Sequence, residues 1–356
     1  MIINFLIIIQ DRNMERLKNY YTESKQVLMD IIPLERPLCL SIEPTNICNF
    51  KCTMCFHGNN EYAEEAKPLK NMDMVCFRKI VNDIKNWGGK IKLIKLYSLG
   101  EPLLHPSICE MVRLIKEADI CNQIEITTNG SLLTPEISEK LVEYGLDILR
   151  ISVYGADDEH MKEITKSVFT PNDIKKNVEF LKEYRDRLGK TKPVILAKML
   201  NTYTDENQRF IDMYTDVADT IGIDEPFHLP SCENDIFKNL YHEKAGQAFE
   251  GSMGTNIYKQ EKACRYPFTH MTVRNDGSCV VCCADWLKEL CYGNVNKNTL
   301  KEIWESKSLY EIRCKMLKTK GKCFKACNGC EIPLRDSEED SVDSLPIETL
   351  SYRYNI

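Results

Sequence analysis

The chain has 356 residues, of which 43% are hydrophobic and 28% are charged, values typical of a globular protein with one large and one smaller domain. The formal net charge is −6 and the Lys and Arg residues are dispersed, which argues against a nucleic-acid partner. The apolar start MIINFLIIIQ lacks a basic flank and is too short to span a bilayer, so we expect no membrane partner and a cytoplasmic protein.

Short β-rich runs alternate with helical stretches from about residue 38 to residue 227, which is typical of βα units around a parallel sheet. The predicted strands are 38–44, 92–98, 123–128, 148–154, 194–200 and 220–226. The predicted helices are 74–87, 108–118, 135–144, 172–188 and 206–218, with start signals at Asp73, Thr134 and Thr170.

Seventeen cysteines, an odd number at metal-ligand spacings in a long chain, favour metal-bound thiolates over disulfides. The segment NICNFKCTMC places Cys48, Cys52 and Cys55 just after the first predicted strand, with three and then two residues between them. Three thiolates can hold three irons of a four-iron cubane and leave the fourth iron open to another ligand. A zinc site that adds His57 is the alternative, although zinc sites usually use paired Cys-x2-Cys motifs.

This motif and the strand ends that follow it resemble the radical S-adenosylmethionine (radical SAM) superfamily. The resemblance implies an α/β fold in which residues 38–230 form a partial (β/α)6 TIM-like barrel with parallel strands. It implies a 4Fe-4S cluster whose open iron binds S-adenosylmethionine, and reductive cleavage to a 5′-deoxyadenosyl radical that takes a hydrogen atom from the substrate. A flavodoxin- or ferredoxin-type donor would supply the electron.

The resemblance also transfers cofactor contacts to this sequence. SLGEPLLHP, with Leu99 in place of the family's first glycine, would face the methionine amino group, and TTNGSLL the ribose and carboxylate. The implied contacts are Met54 toward the adenine, Gly100, Glu101, Thr128, Asn129, Ser152 and Lys198. All lie at C-terminal strand ends or in the cysteine motif, where barrel enzymes place their sites. His160 fits a surface residue as well as a catalytic one.

Nine cysteines between residues 264 and 330 mark a second, smaller domain. The pattern resembles the SPASM extension of radical SAM enzymes or its shortened form, twitch, with Asp276 and Gly277 as the turn of a hairpin. It implies at least one auxiliary 4Fe-4S cluster, ligated by Cys264, Cys282, Cys327 and Cys330. Of the other five cysteines, Cys314 is interpreted as a helical packing residue, and four remain for packing or a second auxiliary cluster: Cys279, Cys283, Cys291 and Cys323.

A closed auxiliary cluster suits electron transfer, so the sequence predicts an oxidoreductase that acts on a small sugar-like, alcohol or carrier-linked substrate. The alternatives are a maturase of ribosomal peptides, a redox-neutral epimerase and a non-enzymatic iron–sulfur electron carrier. The predicted boundaries are an N-terminal tail and helix at 1–37, the barrel at 38–230, a linker at 231–263, the cysteine-rich domain at 264–335, and an acidic tail at 336–356 that is poor in core residues and that we expect to be mobile.

Overall fold

A computed structural model describes residues 26–58, 64, 66–224, 262–328 and 330–354. The apolar start and most of the predicted linker lie outside the described residues. Nine strands occur in the described part: β1 Cys39–Ile42, β2 Ile91–Lys95, β3 Cys121–Thr128, β4 Ile148–Ser152, β5 Val194–Leu200, β6 Thr220–Asp224, β7 His270–Val273, β8 Ser278–Val280 and β9 Cys291–Asn294. The helices there are α1 Leu28–Ile31, α2 Met74–Trp87, α3 Ile108–Ala118, α4 Pro135–Glu143, α5 Asp158–Thr165, α6 Pro171–Arg187, α7 Glu206–Tyr214, α8 Tyr266–Thr269, α9 Leu300–Trp304, α10 Lys307–Thr319 and α11 Ile347–Tyr354.

The strands β1 to β6 are parallel and neighbour one another in chain order, which confirms the predicted α/β fold with a partial barrel. Strand β7 pairs in parallel with the free edge of β1, with Cys39 opposite His270, and β8 and β9 continue the sheet antiparallel. One hydrophobic core contains residues of both regions, such as Ile42 and Val273. The cysteine-rich region therefore extends the barrel sheet rather than standing apart from it.

Local signals fix most element boundaries. Asp73 and Thr134 cap α2 and α4 by accepting backbone N–H groups, and Thr170 forms a capping box with Asp173 at α6. The Gly277 turn has φ of +82°, a conformation that glycine adopts without a steric penalty, and it joins β7 to β8 as predicted. Strands β1, β2 and β4 end two or three residues earlier than predicted, because residues 43–44, 96–98 and 153–154 belong to loops at the carboxyl edge.

The acidic segment 336–356, predicted to be poor in core residues, contributes three apolar side chains to the core within its described part. Val342, Leu345 and Leu350 are buried in the main core. The acidic side chains are used as partners: Arg265 forms ion pairs with Asp336 and Asp340 at 3.2 and 3.0 Å. Composition suggested a solvated tail, but three apolar anchors and a buried arginine draw the segment onto the cysteine-rich region. No helix of the described residues is long and apolar enough to cross a membrane.

Candidate functional site

The loop that carries Cys48, Cys52 and Cys55 leaves the carboxyl end of β1 and is fastened along its length. Phe50 is 1% exposed and anchors the loop in the main core. The backbone N–H groups of Lys51 and Thr53 donate to the carbonyls of residues 165 and 164 at the end of α5, at 3.0 and 2.8 Å. These bonds hold the three thiols at the carboxyl edge of the sheet, where the sequence placed them.

Gly100 is required by the path of this loop. A Cβ at Gly100 would lie 2.3 Å from the carbonyl oxygen of Thr45 and 2.6 Å from that of Ile47, which real Cβ atoms do not approach. The next residue, Glu101, donates its backbone N–H to Ile47 O at 2.9 Å. Gly100 therefore lets the cysteine loop pack directly on the end of β2, and its predicted contact with a cofactor stays a prediction.

The three thiols lie near one another in a buried setting. Burial raises the pKa of Cys48 to about 11, and burial followed by the neighbouring Cys55 and Cys48 raises the pKa of Cys52 well above its usual value. Tyr154 lies near these thiols: burial raises the pKa of its hydroxyl group, and the neighbouring Cys52, Cys55 and Cys48 raise it further. Bound iron would favour the thiolate forms, so the donor set fits a thiolate-ligated cluster.

A single-ion zinc site fits this loop less well. Among the described residues, no three His, Cys, Asp or Glu side chains converge as the ligands of one ion would. Thiolates that bind different irons of a cubane lie farther apart, so this spacing is compatible with a cluster. His57, the fourth ligand of the zinc alternative, hydrogen-bonds through Nε2 to Leu99 O at 3.1 Å, and its ring lies tilted beside that of Phe56 with centroids 4.7 Å apart.

Glu101 is a buried carboxylate with most of its acceptor sites in use. It is 3% exposed. Its Oε1 accepts from Thr128 Oγ1 at 2.6 Å and from Leu103 N at 3.0 Å, and its Oε2 accepts from Asn129 N at 2.8 Å. Burial raises the pKa of Glu101 to about 7, against these hydrogen bonds. A carboxylate has about four acceptor positions, so Glu101 can accept one more hydrogen bond, and its predicted contact with a cofactor stays a prediction.

The structure brings Thr128 and Asn129 together with Glu101, as the sequence predicted, and gives Asn129 a second role. Asn129 Nδ2 donates to Asn49 Oδ1 at 3.0 Å, Asn49 Nδ2 donates to Ser131 Oγ at 2.9 Å, and Ser131 Oγ donates to Asn129 Oδ1 at 2.6 Å. This closed triangle links the cysteine loop to the end of β3.

Ser152 and Lys198 also lie at the carboxyl edge, each with a protein partner. Ser152 hydrogen-bonds the hydroxyl of Tyr154, which places it beside the three thiols. Lys198 Nζ donates to Asp224 Oδ2 at 2.9 Å across β5 and β6. Their contacts with a cofactor stay predictions.

Met54 lines a cavity of about 180 Å³ beside the cysteine loop. Its other walls include Tyr154 and a pair formed by His160 and Glu206, whose Nδ1 and Oε2 atoms lie 2.7 Å apart. Hydrogen bonding to Glu206 raises the pKa of His160. His160 is therefore a half-buried residue of this cavity, which the sequence alone left open.

The four predicted auxiliary ligands lie around one cavity of about 370 Å³ in the cysteine-rich region: Cys264, Cys282, Cys327 and Cys330. Burial raises the pKa of Cys327 to about 12 and that of Cys330 to about 11, so these thiols are neutral until a metal binds. Cys264 comes from the turn before α8, Cys282 follows β8, and the other two lie after α10. A four-thiol cavity of this size fits an iron–sulfur cluster without an open iron.

Backbone amides support the sulfurs at both sites. Cys48 Sγ accepts from the N–H of Phe50 at 3.5 Å, and Cys282 Sγ accepts from that of Ala284 at 3.3 Å. Cys264 and Cys330 also accept from the amide two residues ahead. Hydrogen bonds of this kind stabilise thiolates and tune iron–sulfur clusters, and they occur at four of the seven predicted ligands.

The four cysteines considered for a second auxiliary cluster do not lie together in the structure. Cys279 is buried near Cys76 and Cys291, whereas Cys323 lies beside Cys327. Cys283 hydrogen-bonds Cys282, which lowers the pKa of Cys283 to about 6, and it also lies near Lys95 of the barrel. This separation favours one auxiliary cluster over two.

Several residues of the site were missed by sequence reasoning. The only sequence signal for Tyr154 as a site residue was weak: it lies two residues after the end of β4. Glu43 at the end of β1 looks like an ordinary loop acid, yet it is fully buried and forms an ion pair with Arg274 at 3.0 Å. Trp286 packs on Phe56 with ring centroids 4.9 Å apart, a contact that no local pattern indicates.

Two family models match the chain over most of its described length. The Radical SAM superfamily model matches residues 42–212, and the SPASM iron–sulfur cluster-binding domain matches residues 264–331. These domains bind a 4Fe-4S cluster with S-adenosylmethionine and auxiliary iron–sulfur clusters, which confirms the predicted cofactors.

Relatives and solved structures resemble the chain over nearly its whole length. The tungsten-containing aldehyde ferredoxin oxidoreductase cofactor-modifying protein of Pyrococcus furiosus is 26% identical, over 84% of this chain and 88% of that protein. The AdoMet-dependent heme synthase of Methanosarcina barkeri is 24% identical, over 87% and 95%. The structure of native anSMEcpe with bound AdoMet shares the fold with a TM-score of 0.57 at 19% identity, over 90% of this chain and 95% of that chain. The chain therefore belongs to the radical SAM superfamily and carries a C-terminal SPASM-type iron–sulfur domain.

Proposed function

We propose that this chain is a radical SAM oxidoreductase that oxidises a small polar molecule, sugar-like, alcoholic or carrier-linked, by two electrons. The observation that carries this proposal is the four-cysteine cavity, because a cluster with four protein thiolates has no open iron and suits electron transfer. The cysteine-rich region continues the barrel sheet at β1, which keeps the proposed electron acceptor beside the barrel.

A group of buried charged side chains on β2, β3 and β4 supports the proposal of a polar substrate. Lys95 and Glu125 are cross-strand neighbours on β2 and β3, and Arg150 on β4 lies 3.3 Å from Glu125. Tyr97 Oη donates to the same carboxylate at 2.9 Å. Although burial acts to raise the pKa of Glu125, Lys95 and Arg150 outweigh it and lower that pKa. We propose that these groups face the substrate, because charged side chains match a hydroxylated or charged substrate better than an apolar one.

In the proposed reaction the substrate loses one hydrogen atom and then a proton and an electron. The cofactor supplies the radical chemistry that takes the hydrogen atom. The chain's residues would hold and orient the reactants: Glu101 would accept a hydrogen bond from the cofactor's amino group and Met54 would line the adenine side. The four cysteines of the second cavity would hold the cluster that accepts the electron. A flavodoxin- or ferredoxin-type donor starts the cycle.

The two relatives add support for a non-peptide substrate. The name of the Pyrococcus furiosus protein refers to a cofactor, and that of the Methanosarcina barkeri protein refers to heme. Both match more than four fifths of this chain.

Isotope transfer tests the proposal. Reduced holoenzyme is incubated with S-adenosylmethionine and candidate polyols or carrier-linked alcohols that are deuterated at the carbinol carbon. We expect deuterium in 5′-deoxyadenosine and one carbonyl product per labelled 5′-deoxyadenosine. Deuterium transfer with a stereoisomer as the product would favour an epimerase, and transfer only from peptides would favour a maturase. If the fully reduced protein forms no 5′-deoxyadenosine, the result would favour the non-enzymatic electron carrier.

Cofactor binding should strengthen as the pH rises from 6 to 8. Glu101 has a pKa of about 7 in the folded chain, above the usual carboxyl value of 4.5. Between pH 4.5 and pH 7 the folded state therefore binds a proton that the unfolded state has lost, and the free energy of unfolding falls as the pH rises through this range. The ionised form accepts from the cofactor's amino group, so affinity should rise about tenfold from pH 6 to pH 8. Equilibrium binding of S-adenosylmethionine to the reconstituted protein measures the effect.

Glu101→Gln is the control, because it keeps the size of the side chain and removes its titration. We expect binding at pH 8 to weaken at least about tenfold, the value of a charge-assisted hydrogen bond. The amino group of the cofactor also titrates near this range, but it does so equally with both proteins. Parallel pH curves for the wild type and the variant would show that Glu101 does not contact the cofactor.

A further inference from the structure

The loop of the radical SAM cluster and the loop of the auxiliary cluster touch at a small apolar cluster, here called the bridge and formed by Phe56, Leu99 and Trp286. The three side chains are 5 to 8% exposed and form a cluster separate from the main core, with Cys55 packed against it. Phe56 directly follows the ligand Cys55, and Trp286 lies four residues after the auxiliary ligand Cys282. Each ring is thus attached to the loop of a different cluster.

The Trp286 side of the bridge is rigidly joined to the auxiliary site. Asp285 N donates to Cys282 O at 3.2 Å, and Trp286 N donates to Ala284 O at 3.0 Å, so the chain from Cys282 to Trp286 is one tight turn. Asp285 in turn accepts from the amides of Glu289 and Leu290 at 2.9 and 2.8 Å. A displacement of Cys282 is therefore passed to the indole ring.

The Phe56 side is equally short. Phe56 begins a 3-10 turn whose Gly58 donates to Cys55 O at 2.8 Å, and Cys55 N donates to Cys52 O at 2.9 Å. His57 hydrogen-bonds the carbonyl of Leu99. Leu99 packs in the same apolar cluster as the two rings, which contact each other directly with centroids 4.9 Å apart.

A second, ionic connection closes a ring of contacts around the bridge. Glu43 Oε2 accepts from Leu99 N at 3.2 Å and forms an ion pair with Arg274. Arg274 Nη1 donates to Asp285 O at 3.2 Å, next to Trp286. Leu99 and Asp285 are therefore linked through the Glu43–Arg274 ion pair. The two cluster loops are joined by this ion pair as well as by the packing of the two rings. Buried pairs of this kind are costly to break, because the remaining charge stays buried.

From this ring of contacts we propose that Trp286 is a positioning residue through which the auxiliary site holds the cysteine loop in the shape that binds S-adenosylmethionine. Filling the auxiliary site orders the turn from Cys282 to Trp286, and the bridge transmits this order to Cys55. The two sites are then coupled in cofactor binding as well as in electron transfer. The proposal rests on the assignment of both cysteine sets as cluster ligands, but it does not depend on which substrate is oxidised.

The test measures affinity for S-adenosylmethionine in the full-length reconstituted protein, together with the electron paramagnetic resonance signal of the reduced cluster before and after the cofactor is added. We expect Trp286→Leu to weaken binding about 3- to 10-fold, the contribution of an aromatic pair, and to reduce the cofactor-induced change of the signal. Trp286→Phe should restore binding to within about twofold. Trp87→Leu removes a partly buried tryptophan of α2 that packs on the main core, and it should leave the affinity unchanged.

A double-variant cycle separates positioning from plain stability. Removing the auxiliary cluster with Cys327→Ala and Cys330→Ala should weaken binding in the wild-type background and add nothing when Trp286 is already Leu. Additive losses, or an unchanged affinity in Trp286→Leu despite a lower melting temperature, would overturn the proposal. Wild-type protein that fails to bind S-adenosylmethionine would instead contradict the cofactor assignment, and binding without substrate oxidation would contradict only the proposed function.

Discussion

Replacing Cys48, Cys52 and Cys55 together by Ala should abolish cleavage of S-adenosylmethionine completely and leave one cluster instead of two. The wild-type protein should bind about eight irons in two cubanes, and the triple variant about four. The loop itself should persist, because Phe50, the amides of Lys51 and Thr53, and the triangle around Asn129 hold it independently of iron. Iron analysis and 5′-deoxyadenosine formation with dithionite measure the two effects.

The matched control removes three other cysteines, Cys76, Cys109 and Cys121, which lie in or against the main core. Burial raises the pKa of each, and none of them belongs to either predicted ligand set. Their replacement by Ala costs packing but should leave eight irons and full cleavage. A triple variant of the motif that still makes 5′-deoxyadenosine would refute the central assignment.

Features of the site that depend on strand order were predictable from the sequence. Cys48, Glu101, Thr128 and Ser152 were assigned to the ends of successive parallel strands, and such ends meet at one edge of a sheet whatever the details of packing. The Asp276–Gly277 turn and the caps at Asp73 and Thr170 were predictable for a similar reason, since each depends on neighbours within a few residues.

Features that depend on distant pairing were not predictable. The contact of β1 with β7 joins Cys39 to His270, and no local pattern indicates that the cysteine-rich region continues the barrel sheet. Glu43 has the same appearance in sequence as an exposed loop acid, and only Arg274 explains its burial. In the acidic C-terminal segment, composition concealed the apolar anchors Val342 and Leu350, which are fully buried.

The shared sheet changes what the loss of the auxiliary metal should do. A small domain held together by metal alone unfolds when its ligands are removed. Here Met271, Val273, Val281 and Trp304 belong to the core that also contains the barrel residues. Arg265 and Lys320 also tie the C-terminal segment to this region through Asp336 and Asp343. The cysteine-rich region should therefore stay folded without its cluster, which allows its chemistry to be tested separately.

Replacing Cys327 and Cys330 by Ala should therefore separate the two halves of the reaction. The variant keeps the cysteine motif, so it should bind about four irons and still form 5′-deoxyadenosine, although with weaker binding of S-adenosylmethionine. It should release no product oxidised by two electrons, because the electron from the substrate has lost its acceptor. Circular dichroism and iron content establish first that the fold and the remaining cluster are intact.

The control for this experiment replaces Cys291 and Cys323, which are exposed thiols of the same region. They do not line the four-cysteine cavity, so their removal should leave eight irons and normal product formation. Iron lost from this control would indicate a second auxiliary cluster. If the folded Cys327 and Cys330 variant, holding one cluster, still makes the oxidised product at the normal rate, the auxiliary cluster is structural, and the oxidoreductase proposal gives way to an epimerase or another redox-neutral reaction.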